Sequence, residues 1–516
     1  MITKLSLPLV LSGLFVALIP LSSLASEGGP VASVSGGEIR GTLIPGIGSV
    51  FRGVPFAQPP VGDLRWREPQ PVLPWKGIRD AAKPAAPSAQ SDAGWNKAFA
   101  AASSEDSLYL DVWSPTPTPG SARPVMVWIH GGGNVGGAGG FDPLYDGRAF
   151  ASRGVVLVVL QYRLGVFGFF THPDLEAESP HHTSGNYGIM DQVAALQWVH
   201  DNIAVFGGDP KNVTIFGQSA GATDVLALMA SPISRGLFAK GIAESAALAG
   251  AFHWGTVAKS EEAGRAAAKR VGAPESALPF LRSLSTQELL SRHLGSWQPA
   301  ADNYVFPENP ALVFSEGKEA RVPLIVGSCA IEFPAAGPYA AKMKTVQMTF
   351  GKHAGEAAAL YGIEEGGDKF PADPLYGDSG DQLGSDVFRC PDIVAAAWHA
   401  ANGMPTWQYE FDRAIPPRPK VGHSSDMPYV FGNLLPDGGQ GGAFTATDRQ
   451  LSDVVQAYWV NFANTGNPNA NGLPSWPAYQ AADTKFIHFT TSGGESLDHD
   501  ERAPYAALFR KTILDP

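Results

Sequence analysis

Five residues, Gly217-Gln-Ser-Ala-Gly221, separate an apolar run at 213–216 from a small-residue segment at 222–230. The run reads as a strand and the segment as a helix. A strand that becomes a helix within so few residues leaves no room for side chains at the crossing, a condition met by Gly217, Ala220 and Gly221. Such a turn lifts the hydroxyl of Ser219 above a sheet, beside the positive end of the helix. Strand-to-helix alternation also implies a mostly parallel sheet covered on both faces.

The rest of the chain fits that scheme. Strands are predicted at 108–113, 125–129, 155–160 and 322–326, the third apolar throughout, as in a strand buried on both faces. Residues 31–34 and 38–40 read as a hairpin, and the prolines of 51–60 set an extended stretch. Residues 187–203 carry Ile189, Val193, Leu196 and Val199 at helical spacing, and 260–294 reads as amphipathic helix. There is no internal repeat and no domain-separating linker. The predicted fold class is α/β, a large, mainly parallel mixed sheet with helices on both faces, forming one domain over residues 26–516.

With 44% of residues apolar and 17% charged, the chain can bury a large core. A formal net charge of −12 repels phosphate backbones and anionic lipid, so neither nucleic acid nor stable membrane association is expected. Nothing in the sequence sets an oligomeric state. Lys4, the apolar run at 5–21 and Ser23-Leu-Ala25 form a signal-peptide pattern over residues 1–25, so the protein is expected to be secreted or periplasmic. The run is short and broken by Pro20, which argues against a membrane anchor. Cys329 and Cys390 are the two cysteines, and the sequence leaves open whether they pair.

A serine hydroxyl needs a base, and its attack on a carbonyl needs donors for the oxyanion. His130-Gly-Gly-Gly133 comes directly after the strand at 125–129 and can offer bare backbone N–H groups; Gly132, Gly133 and Ala220 are the candidate donors, and His130 is read as structural. Gly131-Gly-Gly-Asn-Val-Gly136 also satisfies G-x-G-x-x-G, the dinucleotide fingerprint of oxidoreductases. The glycine-rich residues 137–143 beyond it are poor helix material, so a pyrophosphate would find no helix N-terminus. For the base, His423 in a Gly/Ser turn has the best setting, with His253 and His399 as rivals. For the acid, Glu332 comes after the strand at 322–326, with Asp386 and Asp392 as rivals. No metal or cofactor is required by this chemistry.

Taken together these segments resemble the type-B carboxylesterase/cholinesterase family of α/β-hydrolases, in particular its bacterial secreted carboxylesterases. The resemblance runs through Phe51-Arg-Gly-Val-Pro-Phe-Ala-Gln-Pro-Pro-Val-Gly62, Glu105-Asp-Ser-Leu-Tyr-Leu110, Asn186-Tyr-Gly-Ile-Met-Asp-Gln192, Phe206-Gly-Gly-Asp-Pro210 and Asn461-Phe-Ala-Asn-Thr-Gly-Asn-Pro-Asn469. It implies a Ser219–His423–Glu332 triad, since Gly327-Ser-Cys-Ala-Ile-Glu332 matches the family's acid motif except at Cys329, and His423 with Asp426 matches its His-x-x-Glu/Asp pattern. It further implies that Ser245 supports the triad, and it implies a carboxylic ester hydrolase working through an acyl-enzyme on a small neutral ester. A lipase, a detoxifying or cholinesterase-like esterase, and a non-catalytic adhesion module are the alternatives within the family. Three departures stand out. Ser88 and Ser107 occupy the positions of a family disulfide, Gln218 replaces the acidic residue of cholinesterases, and Asn134 stands where an aromatic is usual. Trp95 falls in a loop that carries the choline-binding tryptophan of cholinesterases, but at a different spacing, so its role stays open.

Overall fold

The computed structural model describes residues 28–115, 119–248, 255–295, 297–414, 420–434, 443–480, 484–490 and 502–515, and the backbone of 495–499. The residues read as a signal peptide, and His253, lie outside the described residues.

Its framework is an eleven-stranded sheet. In chain order the strands are β1 (Thr42–Ile44), β2 (Gly48–Pro55), β3 (Tyr109–Ser114), β4 (Arg123–Ile129), β5 (Val156–Leu160), β6 (Gly208–Gln218), β7 (Lys240–Glu244), β8 (Leu324–Cys329), β9 (Thr406–Phe411), β10 (Lys485–Phe489) and β11 (Glu495–His499). Their order across the sheet is β11-β10-β9-β8-β7-β6-β4-β5-β3-β2-β1. From β10 to β5 every pairing is parallel, and the outer strands at both edges are antiparallel. The expected hairpin forms from Val31–Val34 and Gly37–Arg40 in a separate small sheet.

The central strands show why the sheet must be covered twice. Val125, Val127 and Ile129 of β4 join one apolar cluster, while Met126 and Trp128 join a second, and all five are buried. Successive side chains of a strand leave opposite faces, so a continuous apolar run demands cover on each. Helices α1 (Tyr187–Asn202), α2 (Ala220–Ala230) and α3 (Ser379–Ala401) contribute to the first cluster, and α4 (Met427–Phe431) and α5 (Ala446–Thr465) to the second. Among the described residues no helix is long and apolar enough to cross a membrane.

Two expectations need correction in extent. The strand expected at 213–216 runs from Gly208 to Gln218, because pairing with β4 and β7 on either side carries it beyond its apolar centre. The stretch at 260–294 is three short helices, Val257–Arg270, Ala277–Ser283 and Thr286–Ser291. Gly272, at φ +84°, breaks the first, and a Ser285–Glu288 capping box starts the third.

Candidate active site

Parallel strands in register end level, and their carboxyl ends form one rim. Ile129 pairs with Gly217, Gly217 with Ala243, and Glu244 with Gly327. The loops leaving β4, β6, β7, β8 and β9 therefore emerge side by side, where open α/β sheets bind ligands.

Between β6 and α2, Ser219 takes φ +59° and ψ −123°, a conformation that costs a non-glycine residue on the order of 1–3 kcal/mol. The turn survives because its flanks carry no side chains. A Cβ on Gly217 would lie 2.6 Å from the Gly221 backbone, and one on Gly221 only 2.0 Å from the Ile129 carbonyl oxygen. The Ser219 N–H donates to the Glu244 carbonyl at 2.9 Å, tying the turn to β7.

The glycine loop after β4 takes φ +106° at Gly132 and +65° at Gly133. Gly132 O accepts from Val135 and Gly136 within the loop, and Gly133 O accepts from Gln298 Nε2 at 2.9 Å. Asn134 braces it from below, accepting from the Tyr162 hydroxyl at 3.0 Å and donating to Asp224 at 3.2 Å. Burial pushes the Asp224 carboxyl up to about 7. His130 is fully buried and stacked on Tyr162, and burial lowers it to about 4, which keeps it neutral and structural. No helix opens directly from this loop; the next element is a single 3-10 turn at Pro143–Tyr145. The dinucleotide reading of 131–136 therefore fails.

At the other end of the rim, His423 Nδ1 and Glu332 Oε2 lie 2.5 Å apart. Glu332 Oε1 accepts from Ser245 Oγ at 2.7 Å and from the Cys329 N–H at 2.8 Å. Two of the described rivals are engaged elsewhere. His399 is buried between Glu319 and the Val322 carbonyl, and Asp386 binds Arg389, Arg502 and the Tyr361 hydroxyl. Asp392 is buried behind Glu332, and burial together with that neighbouring carboxylate raises it well above its ordinary range. Burial likewise raises Glu244 strongly and Asp426 to about 6. Cys329 and Cys390 are both buried and no disulfide joins them, which closes the question of their pairing. Ser88 Oγ and Ser107 Oγ lie 3.0 Å apart, so hydroxyls meet where the family places a disulfide.

With this geometry established, comparison with known proteins decides the family. The model of the "Carboxylesterase family" matches residues 28–365 and 367–505. The chain belongs to the carboxylesterase family. It is 36% identical to a fumonisin B1 esterase of Sphingopyxis macrogoltabida over 489 residues, covering 90% of this chain and 87% of that one. It is 36% identical to a para-nitrobenzyl esterase of Bacillus subtilis (strain 168) over 468 residues, covering 86% and 91%. A solved thermophilic para-nitrobenzyl esterase superposes with a TM-score of 0.82 at 31% identity, over 93% of this chain and all of that one. The fold is thus the α/β-hydrolase fold, and the protein is a serine carboxylesterase that hydrolyses carboxylic esters.

Several residues of the esterase's site escaped sequence reasoning. Phe333 packs on the His423 ring with centroids 4.2 Å apart, and Phe388 lies 4.9 Å from the same ring and 5.9 Å from Phe333. Phe333 is the residue next to Glu332, which was a usable signal; Phe388 comes from the middle of α3 and had none. Trp95, 61% exposed, lies over the glycine loop, where a Cβ on Gly132 would meet its ring at 3.1 Å.

Proposed function

We propose that the esterase acts by two-step acyl transfer, with Ser219 as nucleophile, His423 as base and Glu332 as the acid that orients it. The observation that carries this reading is the 2.5 Å contact of Glu332 with His423 Nδ1, on the same rim as the strained Ser219. With Nδ1 protonated and bound to Glu332, Nε2 presents a lone pair for the Ser219 proton. Ser219 Oγ attacks the ester carbonyl, and the N–H groups of Gly132, Gly133 and Ala220 receive the oxyanion. Ala220 opens α2, so its N–H has no intrahelical acceptor. His423 returns the proton to the leaving alcohol, and water then releases the acid by the same steps.

The substrate class is uncharged esters. Gln218 removes a negative charge from beside the nucleophile, so little offsets the cost of desolvating a cation, even with the Trp95 indole nearby. A fluorophosphonate should add to the peptide containing Ser219, and Ser219→Ala should lower kcat on the order of 10⁶-fold, as loss of a triad nucleophile does in a known protease. Labelling elsewhere sinks the mechanism. A choline ester should be no better by kcat/KM than its uncharged tert-butyl isostere, and a tenfold preference for the cation would reverse the substrate reading. The enzyme is exported: residues 1–25 act as a cleaved leader and 26–516 as the catalytic unit. N-terminal sequencing of protein recovered outside the cytoplasm should begin at Ser26.

A further inference from the structure

The nitrogen that must take the serine proton is occupied. His423 Nε2 is held by the side-chain amide of Gln218 at 3.1 Å, and no hydrogen bond joins it to Ser219 Oγ. Gln218 is only 5% exposed, so this is a packed contact. Its amide oxygen lies against the glycine loop: a Cβ built on Gly131 would lie 3.2 Å from Gln218 Oε1 and 2.6 Å from the Gln218 main-chain carbonyl oxygen. One end of the side chain thus abuts the glycine loop and the other holds the histidine.

Because Nδ1 is bound to Glu332, the Gln218 amide donates to the lone pair on Nε2. Ser219 must compete with it for that lone pair. Once the proton has arrived, Nε2 becomes a donor, and an amide can turn its oxygen to accept. An amide therefore serves both states of the imidazole without adding charge. A carboxylate at this position would serve the protonated state alone, and with a full negative charge.

We propose that Gln218 is a positioning residue that holds His423 between turnovers and, by its neutrality, keeps the protonated imidazole free to release its proton in each half-reaction. This rests on the reading of His423 as base. The other charged or titratable groups acting on His423 are Glu332, on Nδ1, and Asp426, three residues along its own turn; Asp392 of α3 lies behind Glu332. The ring faces meet Phe333 and Phe388, which carry no charge.

The test is the pH dependence of kcat/KM for an uncharged ester, with Gln218→Glu and Gln218→Met compared to the wild type. An opposite charge within about 4–6 Å shifts a titration by roughly 1–3 units toward the charged form. Gln218→Glu should therefore move the acid limb upward by about one unit or more, a loss of about tenfold on that limb that is largely recovered at alkaline pH. Gln218→Met removes the hydrogen bond without adding charge and should move the limb in the same direction by less. A Gln218→Glu limb that coincides with the wild-type limb, or with that of Gln218→Met, overturns the proposal. Should His423→Gln retain wild-type turnover, the base assignment itself has failed, which separates the two readings.

Discussion

At the β4–β6 end of the rim formed by the strands' carboxyl ends, geometry is held by backbone. Glycines at 131, 132, 217 and 221 stand where a Cβ would strike a neighbouring chain or ring, and Ser219 keeps its positive φ because nothing around it can relax. At the β8–β9 end, geometry is held by side chains. Glu332, Asp426 and the two phenylalanines converge on His423, and Ser245 and Asp392 act on Glu332, from four separate segments of sequence. The first end is a steric device and the second an electrostatic one. Substitutions should therefore fail in different ways: fold and placement at Ser219, protonation and orientation at His423.

At the histidine end, Glu332→Gln should give the largest effect. The amide keeps the volume but can present a donor to Nδ1, favouring the wrong tautomer. The analogous change in a serine protease triad costs about 10⁴ in kcat, and a similar fall is expected here with the circular dichroism spectrum unchanged. A loss below tenfold would mean that the remaining contacts orient the imidazole without the acid.

The steric end is tested by two glycines. Gly221→Ala drives a Cβ to 2.0 Å from the Ile129 carbonyl, against backbone that cannot swing aside. It should destabilise the protein by about 3 kcal/mol or more, seen as a lowered Tm. Gly422, beside the histidine, is different: a Cβ added there meets nothing within 4 Å, and Gly422→Ala should stay within about 0.5 kcal/mol. Equal costs at the two sites would erase the contrast.

Even the steric end contains titratable groups, and the effect of His130 is smaller. Burial lowers His130 from 6.5 to about 4. A histidine whose folded value is depressed contributes stability that is complete above its unfolded value and is lost as pH falls toward the folded one. His130 should therefore withdraw about 2 kcal/mol between pH 7 and pH 5. His130→Gln should flatten that part of the Tm-versus-pH curve relative to the wild type. Parallel curves for the two proteins would show that His130 does not titrate against folding.

The same contrast explains what could be read in the sequence. The Ser219 turn was legible because a steric requirement writes itself locally, in Gly217, Ala220 and Gly221. The sheet was legible because strands such as β5, buried on both faces, are apolar at every position. His423 and Glu332 could be drawn from among rivals only with the help of the family's motifs. Only its Gly/Ser turn locally favours His423 over His399, which is buried in α3 with both ring nitrogens satisfied. The breaks at 260–294 were missed because amphipathic spacing continues across Gly272. The Gln218–His423 contact was invisible because it joins residues 205 apart that carry no shared pattern.

The smallest expected effect concerns the thiols, and it guards the comparison from the other side. Cys329 lies three residues before Glu332, at the point where the family's acid motif has asparagine. A disulfide to Cys390 would have made the histidine end a covalently braced structure, closer in kind to the rigid serine end. Both cysteines are buried and no disulfide joins them. Burial raises Cys329 well above the usual thiol range, and the Asp426 and Glu332 carboxylates push it further, so the reactive thiolate is scarce in the folded enzyme. Dithiothreitol should leave kcat and the acid limb unchanged, and iodoacetamide should label Cys329 only after denaturation. Thiol titration of unreduced, denatured protein should find both cysteines. Activity that falls on mild reduction, together with missing thiols, would mean that a bond between Cys329 and Cys390 holds the acid loop, and that Glu332 does not depend on hydrogen bonds alone for its position.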